Sequence, residues 1–348
     1  MFRIQEDLLL ATTLLCFVCA KEVTDLDVLS SKPSRCTYEY AYDMYGAHCG
    51  GLRLTKIPSL RSGIEILDFS DNKLQELHAD TFYGYSSIKY LYLAENQIYL
   101  IEENALSYLT SLQTLDLSNN VILELPDSLF QLPSLRKLYL NGNPLLHLSL
   151  SNLQITKPIK APLELLDISE NKLKVLPDWG ILPQLLLYNI SHNPLTSLEA
   201  QHFVSMCRLQ KVDLTESINK VTLCNIKLTV TWFQEKHIYF QLGDYSRLNS
   251  REFDNCPRLE ISADLNSTYQ RCDSVYTKLK NVRGSRSTWL TIGGGLAGFL
   301  VGFVLLLYIM HRHNVAQTKR AANKALKKTL PTTVGDIPPT VGLLNNVS

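Results

Sequence analysis

Between Leu91 and Ile101 the chain reads LYLAENQIYLI, with apolar residues at Leu91, Leu93, Ile98 and Ile101 and a polar Asn96 among them. A helix would space its apolar positions near 3.6 residues, and a plain strand would alternate throughout. Here the alternation lasts three residues and stops. That predicts a very short strand followed at once by a bend. The same rhythm begins at positions 64, 88, 112, 135, 163, 185 and 209, at intervals of 24, 24, 23, 28, 22 and 24 residues. A period of this size predicts a solenoid, in which each turn buries its apolar face only against its neighbours.

The pattern L-x-x-L-x-L-x-x-N-x-L resembles that of the leucine-rich repeat proteins. The resemblance implies an α/β solenoid: a horseshoe with short parallel strands on its concave face and disulfide-linked caps at its ends. The strand leucines would point inward. Asn72, Asn96, Asn120, Asn143, Asn171 and Asn193 would form a ladder ending at Ser217. Each side-chain amide would serve backbone groups that the bend leaves unpaired, at about 1–3 kcal/mol per buried group. Phe82, Leu106, Phe130 and Phe203 are expected to fill the opposite side of the core. The 28-residue turn holds an insertion, Gln154 to Pro162, expected to bulge on the convex side.

Two apolar runs lie outside the repeats. Leu8 to Ala20 has the length of a signal-peptide core, with Val18 and Ala20 as the small residues before cleavage. Trp289 to Met310 is an uncharged run of 22 residues, long enough as a helix to span about 30 Å of hydrocarbon. Six basic residues follow it (Arg312, Lys319, Arg320, Lys324, Lys327, Lys328) and four precede it (Lys278, Lys280, Arg283, Arg286). With the signal peptide, this predicts a single-pass type I protein of the plasma membrane, its N-terminus extracellular. Cleavage removes Cys16 and Cys19, so their C-x-x-C spacing is not a redox motif. Cys36, Cys49, Cys207, Cys224, Cys256 and Cys272 remain, an even number on the oxidising side.

The domain expectation follows: signal peptide 1–20, N-terminal cysteine cap 21–63, about seven repeats over 64–217, C-terminal cap and stalk 218–288, transmembrane helix 289–310, cytoplasmic tail 311–348. The stretch around Cys36 and Cys49 resembles the N-terminal cap of extracellular leucine-rich repeat proteins, which implies a Cys36–Cys49 bond. The stretch Cys224 to Phe233 resembles the C-terminal cap, although Thr222 stands where that motif has its first cysteine. The resemblance implies Cys207–Cys256 and Cys224–Cys272. Cys207–Cys224 with Cys256–Cys272 stays open, because spacing does not choose.

Candidate binding residues are those flanking the inward leucines. The third position of each repeat reads Ile66, Tyr90, Thr114, Lys137, Leu165, Leu187, Lys211, and the fifth Asp68, Tyr92, Asp116, Tyr139, Asp167, Asn189, Asp213. Tyrosines on a pre-formed face make stiff anchors with polar tips. Tyr90, Tyr92 and Tyr139 are therefore the expected hot spots, with Asp68, Asp116, Lys137 and Asp167 beside them. The competing reading is that the acidic row only keeps the face soluble. Sequons at Asn189 and Asn266 predict N-glycans, whereas the match at Asn346 falls on the cytoplasmic side. A glycan on Asn189 would push binding toward the first five turns. Gly294, Gly298 and Gly302 recur every fourth residue and suggest a close helix–helix contact, hence a homodimer. The basic stretch after the span suits either an anionic inner leaflet or a stop-transfer flank. The distal tail, from Thr329, reads as disordered.

No H-E-x-x-H, G-x-S-x-G, phosphate loop or cysteine–histidine metal spacing occurs, and the net charge of +1 gives no case for nucleic acid. The expectation is a non-enzymatic protein without cofactor or metal. The resemblance implies a cell-surface binder of a protein ligand or co-receptor, acting in adhesion or recognition, neuronal or synaptic settings included. The second class it implies is an innate-immune co-receptor for microbial molecules. The 38-residue tail lacks room for a large signalling domain.

Overall fold

The computed structural model describes residues 35–150, 157–243, 256 and 263–328. The expected signal peptide, the start of the insertion (154–156), and the tail from 329 with Asn346 lie outside the described residues. The chain forms two compact units, Met1–Thr277 and Lys278–Ser348.

In the first unit each repeat contributes one three-residue strand: Ile66–Asp68, Tyr90–Tyr92, Thr114–Asp116, Lys137–Tyr139, Leu165–Asp167, Leu187–Asn189 and Lys211–Asp213. They pair in parallel and in strict register, so equivalent positions of successive turns stand side by side. The middle residue of every strand is buried: Leu67, Leu91, Leu115, Leu138, Leu166, Tyr188 and Val212. Tyr188 stands where other turns carry an aliphatic residue. It keeps its hydroxyl satisfied by accepting from Trp179 Nε1 at 3.0 Å, also buried. Phe82, Leu106, Phe130 and Phe203 line the far side of the core as expected. The fold is a leucine-rich repeat solenoid.

The bend after each strand has two causes. The first is the asparagine ladder. Asn96 Nδ2 donates to the Phe69 carbonyl one turn back (3.0 Å) and to Leu93 in its own turn (3.1 Å), while its Oδ1 accepts from Leu74 N–H (3.0 Å). Asn72, Asn120, Asn143 and Asn193 repeat the donor pattern, and Ser217 closes it by donating to the Ile190 carbonyl. Asn171 departs from it. Its Oδ1 accepts from Asn143 N–H at 2.7 Å, but its buried Nδ2 has no partner among the described residues. That rung borders the 28-residue turn.

The second cause lies in the backbone and leaves no mark on the apolar pattern. The residue before each rung takes a left-handed conformation: Asp71, Glu95, Asn119, Gly142, Glu170, His192 and Glu216, with φ between 51° and 70°. For a non-glycine residue this costs on the order of 1 kcal/mol or more. A backbone bond to the next turn offsets the cost, as in Glu95 N–H to Ser118 O at 3.0 Å. At 142 glycine also makes room for a neighbour, because a Cβ there would lie 2.2 Å from Asn119 Oδ1 and the Asn119 side chain would have to move.

Both open ends of the sheet are extended. An antiparallel hairpin, Thr37–Ala41 with Met44–His48, lays its second strand parallel to the first repeat strand. At the other end Tyr239–Gln241 adds a parallel strand beside Lys211–Asp213, giving this sheet ten strands among the described residues. Cys36 is bonded to Cys49, as expected.

The C-terminal pairing corrects the expectation. The bonds are Cys207–Cys272 and Cys224–Cys256, the third of the three pairings that four cysteines allow. The reason is the path of a helix, Ala263–Lys328, whose first turns pack beside the last repeat. Its Tyr269 ring meets Trp232 of the cap helix Leu223–Glu235 edge-on at 5.9 Å. Cys272 is three residues on, hence on the same helix face, and meets Cys207 in the loop before the last repeat strand. Cys256 is then left to Cys224, in the first turn of the cap helix. As for the insertion, its described part packs on the back of the repeats, where Lys160 and Ala161 N–H reach the Phe130 carbonyl.

Among its described residues the second unit carries one stretch, Ile292–Ala325, long and apolar enough to cross a membrane. Helix continues without a break from the apolar run through the basic residues to Lys328.

Candidate protein-binding face

The strand register assembles the predicted residues into two rows on one face. The fifth-position row runs Asp68, Tyr92, Asp116, Tyr139, Asp167, Asn189, Asp213, each residue beside the next across one strand spacing. The third-position row places Tyr90 between Ile66 and Thr114, and Lys137 between Thr114 and Leu165. Thr114 is buried, so it forms a dip between Tyr90 and Lys137. All seven predicted residues share this face, with Tyr90, Tyr92, Asp116 and Tyr139 half-buried and Lys137 exposed.

The acidic row also has a structural duty. Asp116 Oδ1 accepts from the Ser118 N–H (2.9 Å) and hydroxyl (2.6 Å); Asp167 does the same with Ser169, Asp213 with Thr215, and Asp68 with the Ser70 N–H. Asn189 Oδ1 takes Ser191 N–H in the same way. Each acid thus closes the turn that follows its strand. The signal was present in the sequence as D-x-S/T at the ends of four of the seven strands.

The second carboxylate oxygens differ. Asp167 Oδ2 accepts from Asn189 Nδ2 at 2.9 Å, and Asp68 Oδ2 lies 3.9 Å from His48 Nδ1. Asp116 Oδ2 has no partner among the described residues. Tyr92 and Tyr139 stand on either side of Asp116. Burial, then the neighbouring phenol and carboxylates, hold the Tyr92 hydroxyl above its ordinary pKa; burial, then Asp116 and Asp167, do so for Tyr139. Two nearby basic residues are already engaged, while Lys137 stays exposed. Lys89 pairs with Glu65, whose pKa is lowered chiefly by that hydrogen bond, and Arg136 pairs with Glu164 at 2.6 Å.

Sequence reasoning missed the ends of the rows. His48 precedes Asp68 in the fifth-position row, and Tyr239 follows Lys211 in the third, its ring 5.8 Å from the Lys211 ammonium. Neither strand carries the leucine pattern, so periodicity gave no signal for them. Hollows of about 450 and 460 Å³ lie away from the tyrosines: one beside the turn edge at Asp71, Glu95 and Asn119, the other where Leu176 and Val204 meet Leu265 and Arg271.

Asn189 is half-buried, and its Nδ2 also lies 3.4 Å from Ser169 Oγ. Asn266 is exposed on the long helix. Gly294, Gly298 and Gly302 lie open in the apolar stretch, with nothing within 4 Å of a Cβ built on any of them.

The profile described as Leucine rich repeat matches residues 62–122 and 101–145. No curated protein matches the chain. Among solved structures, the mouse RP105/MD-1 complex is similar at 22% identity and TM-score 0.45, over 54% of this chain and 30% of that one. Human 5T4 (Wnt-activated inhibitory factor 1, trophoblast glycoprotein) is similar at 23% identity and TM-score 0.48, over 62% of this chain and 82% of that one. This chain thus spans under a third of the mouse chain's length.

Proposed function

We propose that this is a single-pass type I protein of the plasma membrane whose repeats stand outside the cell and bind a protein partner. It acts there in adhesion or recognition, as a ligand or co-receptor. The observation that carries the reading is the register that gathers Tyr90, Tyr92 and Tyr139 on one sheet face, half-buried and stiffly held. Aromatic anchors on a rigid scaffold favour association because little conformational freedom is lost on binding. Three disulfides in the repeat unit support an oxidising compartment, and one long apolar helix supports membrane anchorage. The open face offers a broad platform and lacks the converging pocket that catalysis uses. In this reading residues 1–20 are the signal peptide, Asn189 and Asn266 carry glycans, and the glycine stripe packs two copies together.

The test is proximity labelling on intact cells. The full-length chain carries a peroxidase next to its repeats and is compared with the triple variant Tyr90→Ser, Tyr92→Ser, Tyr139→Ser at equal surface level. Loss of a reproducible set of surface neighbours in the variant is expected. An unchanged set, or failure of the wild type to reach the surface, overturns the reading.

A further inference from the structure

The structure points to a cationic partner: we infer that the niche formed by Tyr92, Asp116 and Tyr139 receives a guanidinium from an arginine-bearing segment of the bound protein. The inference rests on the sheet face being the binding surface, and it adds the chemistry of what is bound.

Three observations converge on Asp116. Its Oδ1 is fixed by Ser118, so the carboxylate cannot turn away, and its Oδ2 is left without a partner among the described residues. Its neighbours across both strand spacings are tyrosines, in register. Strands lie about 4.7–4.9 Å apart, so two residues flanking a third strand start about 9–10 Å from each other. A planar cation seated midway over Asp116 starts about 5 Å from each flanking strand, within the roughly 6 Å range in which a ring face attracts a cation. The floor of this niche is an acceptor and its walls are aromatic. A guanidinium offers paired donors to the one and a flat face to the other, whereas an ammonium offers neither shape.

The charge balance around the niche favours the same sign. Asp68 and Asp167 follow the two tyrosines in the row, so every second position from 68 to 167 is a carboxylate. Two cations just outside the strands, Lys89 and Arg136, are held by Glu65 and Glu164. Lys137 is set at the opposite end of its strand, across from Thr114, and forms no ion pair with Asp116. An anionic polysaccharide or an acidic peptide would meet like charge here.

A conservative control is built into the protein. Asn189 occupies the equivalent position in its own turn and accepts the same backbone N–H. Asp116→Asn therefore removes the charge while keeping the turn. The experiment uses the purified full-length chain in detergent micelles and a short labelled Gly/Ser peptide carrying two arginines. The same peptide with citrulline is the uncharged isostere. Fluorescence anisotropy at low salt is expected to show saturable binding of the arginine peptide to wild type. Asp116→Asn or the citrulline peptide should weaken it by about tenfold or more, while Asp213→Asn, farther along the sheet, leaves it unchanged. Near-equal affinity for Asp116→Asn, for the citrulline peptide, or no saturable binding to wild type overturns the inference. The readings separate cleanly. If the triple tyrosine variant loses its neighbours on cells while the arginine peptide fails to bind, partner binding by this face stands and the charge assignment falls. If the triple variant keeps its neighbours, the face is not the binding surface and both fall.

Discussion

Cys207 is bonded to Cys272 across a sequence separation of 65 residues, tying the loop before the last repeat strand to the start of the long helix. Closing a loop of that length removes enough unfolded-state freedom to stabilise the cap by about 4 kcal/mol. Tyr269, one turn earlier, directs its hydroxyl at the Cys207 carbonyl and its ring at Trp232. Mass spectrometry of unreduced peptides is expected to recover Cys207–Cys272 and Cys224–Cys256. A Cys207–Cys256 peptide would mean that the helix does not pack as described. Replacing Cys207 and Cys272 together by serine should lower the unfolding midpoint of the full-length protein without disturbing the Cys36–Cys49 bond.

The asparagine ladder makes a sharper comparison, because its rungs are unequal. Asn120 donates to Leu93 and Leu117 and accepts from Ile98, all while buried. Asn120→Ala is expected to destabilise the repeats by about 3 kcal/mol, since it strands buried backbone groups as well as losing bonds. Asn171 makes one such bond through its oxygen and none through its nitrogen among the described residues. Asn171→Ala should cost about 1 kcal/mol by the same reasoning. Denaturant unfolding of the two variants beside wild type decides, and equal losses would contradict the assignment of the weak rung.

His78 supplies a dependence on pH. Its Nδ1 lies 2.8 Å from Glu102 Oε1 of the next turn, and its Nε2 lies 3.1 Å from Glu76 Oε2. The hydrogen bond to Glu102, and then the charges of Glu102 and Glu76, raise the imidazole above its ordinary 6.5; the bond from His78 lowers Glu102 below its ordinary 4.5. A raised histidine stabilises fully below about pH 6.5 and loses that contribution as pH rises through its folded pKa. A lowered glutamate stabilises above about pH 4.5 and loses its contribution as pH falls through its folded pKa. The pair thus contributes most near pH 5–6. The gap in melting temperature between wild type and His78→Gln is expected to be widest there and to shrink by pH 9. A gap independent of pH would assign His78 a purely packing role.

Asn189 is expected to carry its glycan without losing its place in the sheet. A glycosylated amide keeps one N–H, enough for the 2.9 Å bond to Asp167, and the sugar takes the direction of the longer 3.4 Å contact with Ser169. Glycosidase treatment of the full-length protein and of Asn189→Gln should therefore give mobility shifts that differ by one glycan. Identical shifts would show the site bare.

The sequence by itself determined the solenoid, the length of each turn, the inward leucines, the asparagine rungs and the apolar helix. The reason is that each of these is set by local periodicity or by the residue type a buried position tolerates. It also held the D-x-S/T brackets at the strand ends, once the backbone bonds that use them are known. Only the tertiary structure decided which cysteines meet, because pairing depends on where a helix beginning at Ala263 lies against the last turn. The hairpin at Thr37–His48 and the strand at Tyr239–Gln241 were likewise fixed by the open sheet edges they extend, with no repeat pattern of their own. The niche at Asp116 belongs to the same class. Tyr92, Asp116 and Tyr139 are 24 and 23 residues apart in the chain, and only in-register strand pairing sets a single carboxylate between two rings.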